Sequence, residues 1–400
     1  MTLERVCYDC GTRTTNPVAR CDCGEPLWLD TESGSFTWDD TTDAPGMWRY
    51  ESLLPVDCPG GLAVAAGGTP LVRDAALDDY AGATVHVKVE GDHPTGSFKD
   101  RGSALGLAAI DAGLVGDVTA IGTVSHGNMA MSTAAFAAAA DVPCVVLVPD
   151  DIPSVRLDVI AQFDPTLVTV AGEYGRLYDR TLEVGPDYGI VFLNSDVPLR
   201  VEGQKTTTVE LCEAFQPEVP DAIVMPVSSG GHASGAWKAV RELHEAGAID
   251  TVPELYFVQA AACAPIAEAY ESGVSTVSPV EKGETIAYSI ANADPPSGTR
   301  ALRAATETGG AVLSVTDDAI RAAQRILATE AGLTVEPASA TALAGVKQLV
   351  ERGTIDASAD VAVVATGTGL KEAPGSEAGS QTADHATVDE VGVYLERFAE

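Results

Sequence analysis

Positive charge is scarce in this chain. Its 400 residues carry 24 lysines and arginines against 58 aspartates and glutamates, a formal net charge of −34 at pH 7. Lysine occurs only at 88, 99, 205, 238, 282, 347 and 371. A polyanion of this kind is repelled by nucleic acid and by anionic lipid, so neither is expected as a partner. Charge runs are missing too, since the acids are scattered over the whole chain. An acidic interaction surface would gather them. At ~1 M salt the screening length falls to about 3 Å and the repulsion between such carboxylates fades, so the pattern suits a salt-rich cytosol. The first residues, Met-Thr-Leu-Glu-Arg, lack the apolar core of a signal peptide. The longest apolar stretch, Ala134 to Val148, is broken by Asp141 and Pro143 and cannot span a bilayer. A soluble, cytoplasmic protein is expected. No internal repeat is visible. What is present is apolar content, 46% of residues, enough for a core of two to three domains rather than a disordered acidic chain.

Eight cysteines fall into two groups. Cys7 and Cys10 form C-x-x-C-G, and after a ten-residue gap Cys21 and Cys23 form C-x-C-G. Gly11 and Gly24 permit tight turns beside each pair. Four thiolates suit tetrahedral Zn²⁺ with no open position, hence a structural zinc-ribbon-like segment over residues 1–35. The competing readings are a pair of disulfides, which a reducing cytosol disfavours, and inert thiols, which are seldom clustered in this way. Cys58, Cys144, Cys212 and Cys263 read as core residues, Cys144 most clearly because of its apolar surroundings.

Trp28 to Ser52, with its acids, Gly and Pro, reads as a connector. Beyond Gly67, short β-branched runs alternate with alanine-rich helical runs. Strands are expected at 85–89, 119–124, 143–148, 167–170, 190–193, 222–227, 255–258, 312–315 and 360–365. Helices are expected at 98–112, 129–140, 203–215, 232–246, from Thr316 as N-cap to Gly332, and from Pro337. Such alternation implies an α/β fold with a parallel sheet covered on both faces. The expected division is 36–114 and 191–371 for the larger domain, 115–190 for a smaller α/β domain, and 372–400 for an acidic flexible tail.

In such folds ligands sit where strands end and loops lead into helices. Four loops of this type stand out. After strand 85–89 comes His93-Pro94-Thr95-Gly96-Ser97-Phe98-Lys99-Asp100-Arg101, with Lys99 in the first turn of a helix. The helix dipole and desolvation both disfavour its charge, and a neutral lysine can bond an aldehyde carbon; a surface lysine is the plain alternative. After 119–124 comes Ser125-His126-Gly127-Asn128, where Asn128 is either a helix cap or a ligand contact. After 222–227, Ser228-Ser229-Gly230-Gly231-His232 can cradle a phosphate with backbone amides, although it is neither a Walker A loop nor G-x-G-x-x-G. After 360–365 comes Thr366-Gly367-Thr368-Gly369-Leu370-Lys371, with hydroxyls at a strand end. Each loop is weak alone. Together they match an aldehyde cofactor with a phosphate arm and a pyridine ring.

From about Gly67 to Lys371 the chain resembles threonine synthases, within the fold-type II pyridoxal-phosphate enzymes. The resemblance rests on Pro94-Thr95-Gly96-Ser97-Phe98-Lys99-Asp100-Arg101, Glu202-Gly203-Gln204-Lys205-Thr206, Glu336-Pro337-Ala338-Ser339-Ala340 and Gly367-Thr368-Gly369-Leu370-Lys371. The cysteine-rich amino terminus resembles that of archaeal members, and with the charge it suggests a halophilic archaeal type. The resemblance implies two α/β domains with pyridoxal 5'-phosphate between them. Lys99 would hold the cofactor covalently, Asn128 would bond the ring 3′-oxygen, Ser228 to His232 would hold its phosphate, and Thr366 would face the pyridine nitrogen. Ser97, Ser125, Asn194, Ser195 and Arg200 would bind the substrate, Arg200 gripping its phosphate in a bidentate fork. The implied reaction is the conversion of O-phospho-L-homoserine and water to L-threonine and phosphate, by a homodimer acting on a small phosphorylated amino acid. Departures from the family pattern are His126 and Met129 in place of hydroxyls, Ser228-Ser229 in place of Gly-Asn, and no basic residue in Ala291-Asn292-Ala293-Asp294. Competing readings are a threonine or serine ammonia-lyase, another β-replacing synthase such as a cysteate synthase, and an inactive zinc-bearing paralogue acting as a binding protein. An intact Lys99 argues against the last.

Overall fold

A computed structural model describes residues 3–371 apart from 32, 126, 151, 153 and 173. The acidic tail expected at 372–400 and His126 lie outside the described residues. The chain opens with β1 (Arg5–Cys7), β2 (Arg13–Thr14) and β3 (Leu27–Leu29), a small antiparallel sheet in the order β2-β1-β3. There follow β4 (Leu71–Arg73), α1 (Ala75–Ala81), β5 (Thr84–Val89) and α2 (Lys99–Asp111). Next come β6 (Ala120–Val124), α3 (Asn128–Ala139), β7 (Cys144–Pro149), α4 (Ser154–Ala161), β8 (Thr166–Val170), α5 (Tyr174–Val184) and β9 (Ile190–Phe192). The chain then runs through α6 (Pro198–Gln204), α7 (Thr206–Ala214), β10 (Ala222–Pro226), α8 (Gly231–Glu245), β11 (Glu254–Ala260), α9 (Pro265–Glu271) and α10 (Gly298–Glu307). It finishes with β12 (Val312–Val315), α11 (Asp317–Thr329), α12 (Pro337–Glu351) and β13 (Asp360–Ala365).

Two further sheets result. One has six strands in the order β12-β11-β10-β13-β5-β4, parallel except for β4 against β5. The other has four parallel strands in the order β8-β7-β6-β9. The six-stranded sheet is buried on both faces, as its near-continuous apolar strands require. Alternate residues go to opposite cores: Val224, Tyr256, Val258, Val361 and Val363 pack under α11 and α12, while Ile223, Met225, Phe257, Ala362 and Val364 pack towards α8 and α10. Among the described residues no helix is long and apolar enough to cross a membrane.

Several expectations are corrected. Residues 28–52 are not a loose connector. Phe36, Met47, Trp48 and Tyr50 are buried in it, and Trp28 belongs to β3 and donates from Nε1 to Ser234 Oγ of α8 at 2.7 Å. Cys144 is only half-buried, whereas Cys212 and Cys263 are core. The helix expected at 203–215 begins at Pro198 and breaks at Lys205. Pro198 in the first turn supplies the start, five residues before the one expected. Two glycines let this helix press against α2. A Cβ on Gly102 would meet Arg200 Cγ at 2.4 Å, and one on Gly203 would meet the Arg101 carbonyl oxygen at 2.3 Å. The Thr316 cap holds as expected, its hydroxyl accepting from Ala319 N. So does Pro337 at the opening of α12.

A buried ion cluster ties α2 to β5 and α7. Arg101 donates to Glu90 Oε1 and to Glu210 Oε1, both at 2.6 Å, and Lys88 pairs with Glu210 Oε2 at 2.6 Å. Burial alone would raise the pKa of Glu90 and Glu210, but Arg101 holds both carboxyls well below the usual range. Each charge is desolvated, so the cluster is stable only when complete. Arg101→Met should leave two buried carboxylates short of a partner and destabilise the protein by about 3–5 kcal/mol. Chemical denaturation in constant salt checks this; an unchanged midpoint would mean the cluster is not a structural anchor.

Candidate active site

The carboxyl ends of β6, β7, β10 and β13 open into one cavity of about 710 Å³, whose wall includes the start of α2. Its described wall contains Lys99, Ser125, Asn128, Ser195, Ser228, Ser229, Gly230, Gly231, His232 and Thr366. All four strand-end loops singled out in the sequence therefore meet at one place.

Lys99 is the first residue of α2. Thr95 N and Oγ1 donate back to the Asp100 carboxylate at 2.8 and 2.5 Å, which pins the loop leading in. The lysine's pKa is pushed down from 10.5 to about 7, first by burial and then by the positive charge of Arg200, against the opposing pull of Glu336. Its Nζ lies 4.2 Å from the centre of the Phe98 ring, and Phe98 stacks on His232 at 4.1 Å between centroids.

Asn128 opens α3 and faces two charged groups. Its Nδ2 donates to Glu336 Oε2 at 3.0 Å, and its Oδ1 accepts from Lys371 Nζ at 2.5 Å. A lysine can only donate, so Lys371 fixes which way the amide points. Thr366 Oγ1 lies 3.0 Å from Ser339 Oγ. The loop after β10 needs its glycines: Gly230 has φ +87°, and a Cβ there would meet the Ser297 carbonyl oxygen at 2.3 Å, while one on Gly231 would meet that of Ser195 at 2.1 Å. His232 has Nε2 3.1 Å from Thr207 Oγ1, but its buried Nδ1 has no partner among the described residues. Burial lowers its pKa to about 3, so the ring is neutral.

Three expected substrate residues are not on the described cavity wall. Asn194 is spent on the scaffold, accepting from Val124 N at 2.9 Å and donating to Thr181 Oγ1 at 3.1 Å. Ser97 is fully buried with an unpartnered Oγ. Arg200 lies behind Lys99, donating to the carbonyl oxygens of Leu193 at 2.9 Å and Lys99 at 3.2 Å and to Thr133 Oγ1 at 2.9 Å. The close α2–α6 contact through Gly102 and Gly203 draws it there. Sequence reasoning missed Arg156, Arg176, Lys282, Tyr288 and Glu336, all of which line the cavity. Glu336 sat inside a motif already noticed. Lys282 was one of only seven lysines.

The donor set can hold a phosphorylated pyridine aldehyde: a buried amine near neutrality, a glycine turn opening a helix beside an orphaned imidazole nitrogen, and a hydroxyl pair at a strand end. A family described as pyridoxal-phosphate dependent enzymes matches residues 62–367. The threonine synthase of Methanocaldococcus jannaschii is 38% identical over 82% of this chain and 81% of its own length. That of Methanosarcina acetivorans is 36% identical over 92% and 91%. The chain belongs to the threonine synthase family. Solved structures similar to it include maize serine racemase, with a TM-score of 0.64 and 20% identity over 83% of this chain and 92% of that one. A tomato threonine deaminase isoform 2 has a TM-score of 0.64 and 19% identity over 82% and 92%. At such identity these two show the fold-type II architecture alone. Family membership makes this a pyridoxal-phosphate-dependent lyase.

The amino-terminal cysteines also converge. The sulfurs of Cys7, Cys10, Cys21 and Cys23 all lie within 4.8 Å of one another. Cys7 is 3.6 Å from Cys23, and Cys10 is 3.6 Å from Cys21. Gly11 and Gly24, at φ +73° and +95°, make the turns after each pair.

Because Lys99 loses its proton as pH rises through about 7, capture of pyridoxal phosphate by the apoprotein should speed up over that range and level off well below 10.5. Stopped-flow growth of the visible band measures this. A rate still climbing steeply above pH 9 would show that the amine is not depressed.

Proposed function

We propose that this protein converts O-phospho-L-homoserine and water to L-threonine and phosphate. The observation that carries this is a buried lysine of lowered pKa on one cavity wall with the phosphate-cradle loop and the strand-end threonine, in a chain of the threonine synthase family. Lys99 would hold pyridoxal phosphate, the backbone amides from Ser228 to His232 would hold its phosphate, and Asn128 and Thr366 would face the two sides of its ring. When bound, the cofactor supplies an electron sink beside the substrate's α-carbon. Lys99, partly deprotonated at neutral pH because its pKa is lowered to about 7, takes the proton from the α-carbon and, once it has passed that proton on, takes one from the β-carbon. Phosphate leaves from the γ-carbon with the C–O electron pair, the hydroxyl of water adds at the β-carbon while its proton goes to the departing phosphate, and the two protons removed return to the γ- and α-carbons, which makes the γ-carbon a methyl group. Thr366 offers a hydroxyl where other chemistry would use a carboxylate, which leaves a ring nitrogen largely unprotonated and moderates the sink. Ser125 and Ser195 line the cavity and would contact the substrate there. Arg200 acts from behind by lowering the charge on Lys99, and Asn194 by bracing the strand end.

The ammonia-lyase reading is separated from this one by a paired assay. Wild type should release phosphate from phosphohomoserine faster than it releases 2-oxobutanoate from threonine, and the reverse order sinks the proposal. Lys99→Ala should lose the visible band and at least about a hundredfold in turnover. Run at low and at multimolar KCl, the same assay tests the halophilic reading, which rests on the charge of −34 and requires greater activity and stability in the concentrated salt.

We also propose structural zinc at Cys7, Cys10, Cys21 and Cys23. Tetrahedral Zn–S bonds of about 2.3 Å place sulfurs about 3.8 Å apart, close to the two separations of 3.6 Å. Burial pushes the Cys7 thiol up to about 12, while the Thr12 hydroxyl and amide draw Cys10 down to about 6. The segment rests on α8 through Tyr8, Trp28 and Trp237, with Trp28–Trp237 centroids 5.1 Å apart. Removing metal with a chelator should perturb tryptophan fluorescence and lower the thermal midpoint while the cofactor band persists. Purified protein with no tightly bound zinc would refute the assignment.

A further inference from the structure

The turn from Ser229 to Gly231 is held between two walls. On one side the Ser297 amide donates to the Ser229 carbonyl oxygen at 2.9 Å, and a Cβ on Gly230 would meet the Ser297 carbonyl oxygen at 2.3 Å. On the other side a Cβ on Gly231 would meet the Ser195 carbonyl oxygen at 2.1 Å. The first wall leads into α10, which packs on the six-stranded sheet, and the second follows β9 of the four-stranded sheet. One carboxylate joins them. Asp196 is buried beside Ser195, and its Oδ2 accepts from Ser297 Oγ at 2.7 Å while its Oδ1 accepts from the Tyr178 hydroxyl of α5. Arg20 crosses the same seam: Nη2 donates to Asp196 Oδ2, and Nη1 to the Pro296 carbonyl oxygen, both at 3.2 Å. Among the described residues it is the one cation paired with this carboxylate. Arg20 comes from neither sheet. It pairs with Pro26 across the short turn that carries Cys21 and Cys23, so the amino-terminal segment presents it.

We propose that Arg20 is a positioning residue for the cofactor's phosphate, and that the amino-terminal segment thereby frames a cofactor site whose described wall it does not line. This rests on the reading that Ser228 to His232 hold that phosphate. A cradle of backbone amides binds by direction, because each N–H must point at an oxygen, and a wall that shifts turns several amides at once. The turn has no slack, since both glycines pass at contact distance from the wall carbonyls. A buried carboxylate stays in place only while its charge is met. Without Arg20 the Asp196 carboxylate keeps two hydroxyls and no cation, and entering water or a proton would relieve it. Either loosens the tie to Ser297. The guanidinium fork suits this seam because it sets one donor on each wall, which the compact charge of an ammonium does less well.

The test needs no substrate. Full-length apoprotein in constant KCl is titrated with pyridoxal 5'-phosphate and, separately, with pyridoxal, which has the same ring and aldehyde but no phosphate. Wild type should bind the phosphorylated form more tightly. Arg20→Gln should raise the dissociation constant of that form about tenfold, the loss of one charge-assisted hydrogen bond, and leave that of pyridoxal within about twofold. The phosphorus NMR signal of the bound cofactor should shift. Ser297→Ala cuts the same tie from the other wall and should reproduce the effect, and the double variant should lose little more than either single one. Arg20→Lys should recover part of the loss. Arg13→Gln, in the same segment but paired with Glu4 and Asp30, should change neither constant. Should Arg20→Gln fail to fold, Arg20→Lys and Ser297→Ala carry the same comparison. Equal weakening of both ligands, or a lowered thermal midpoint with both constants unchanged, means a purely structural role and overturns the proposal. Wild type that binds pyridoxal as tightly as its phosphate overturns the placement of the phosphate in this turn, and the inference with it. Wild type that discriminates, beside an Arg20→Gln protein that discriminates equally, overturns the inference alone.

Discussion

Two residues beyond Lys99, Arg101 is locked between Glu90 and Glu210. Everything about the site depends on that buried pairing. It fixes the first turn of α2 against β5 on one side and α7 on the other, so the position of Lys99 is set by groups that never touch a ligand. The cluster is close to neutral, with Lys88 and Arg101 balancing two carboxylates, which is why it tolerates complete burial. Beside it, Lys99 is drawn towards its charged form by Glu336, but more weakly than its surroundings oppose it. Burial and the neighbouring Arg200 both work against its charge, and the same scaffold that holds the helix rigid thereby yields an amine poised near neutrality.

The chain as a whole is strongly anionic, yet its cavity is not. Association with a phosphorylated substrate must overcome the repulsion of the surface, and concentrated salt shortens the reach of that repulsion more than it weakens contacts made inside a partly enclosed cavity. A nearly balanced wall and a strongly acidic chain are compatible for that reason. None of the described residues of the amino-terminal segment lines the wall. The segment packs on α8, held by Trp28 against Trp237 and by the Lys205–Glu242–Lys238 ion pairs that reach Thr31.

Much was legible along the chain. Strand 360–365 and helix start Pro337 stood where local signals put them, because apolar alternation and proline preference act over a few residues. Thr316 capped its helix for the same reason. Short elements were harder. The strand at Leu71–Arg73 and the helix at Pro265–Glu271 carry too few residues for a period to show. Residues 28–52 looked polar enough for a linker, yet Trp48 and Tyr50 are wholly buried by partners distant in sequence.

By itself the sequence determined the α/β class and the four strand-end loops, pointed to the family through its motifs, and singled out Lys99 as the candidate amine. The class and the loops follow from local composition and spacing, and a parallel sheet then brings strand-end loops together without further instruction. Only the tertiary structure decided which cations face the cavity. The sequence pointed to Arg200 and gave no sign of Arg156. Two glycines where α2 and α6 touch pull the first behind the lysine, while the second extends from α4 towards a tyrosine more than a hundred residues away in the chain. Such placement depends on helix packing at contact distances, and no local signal encodes that.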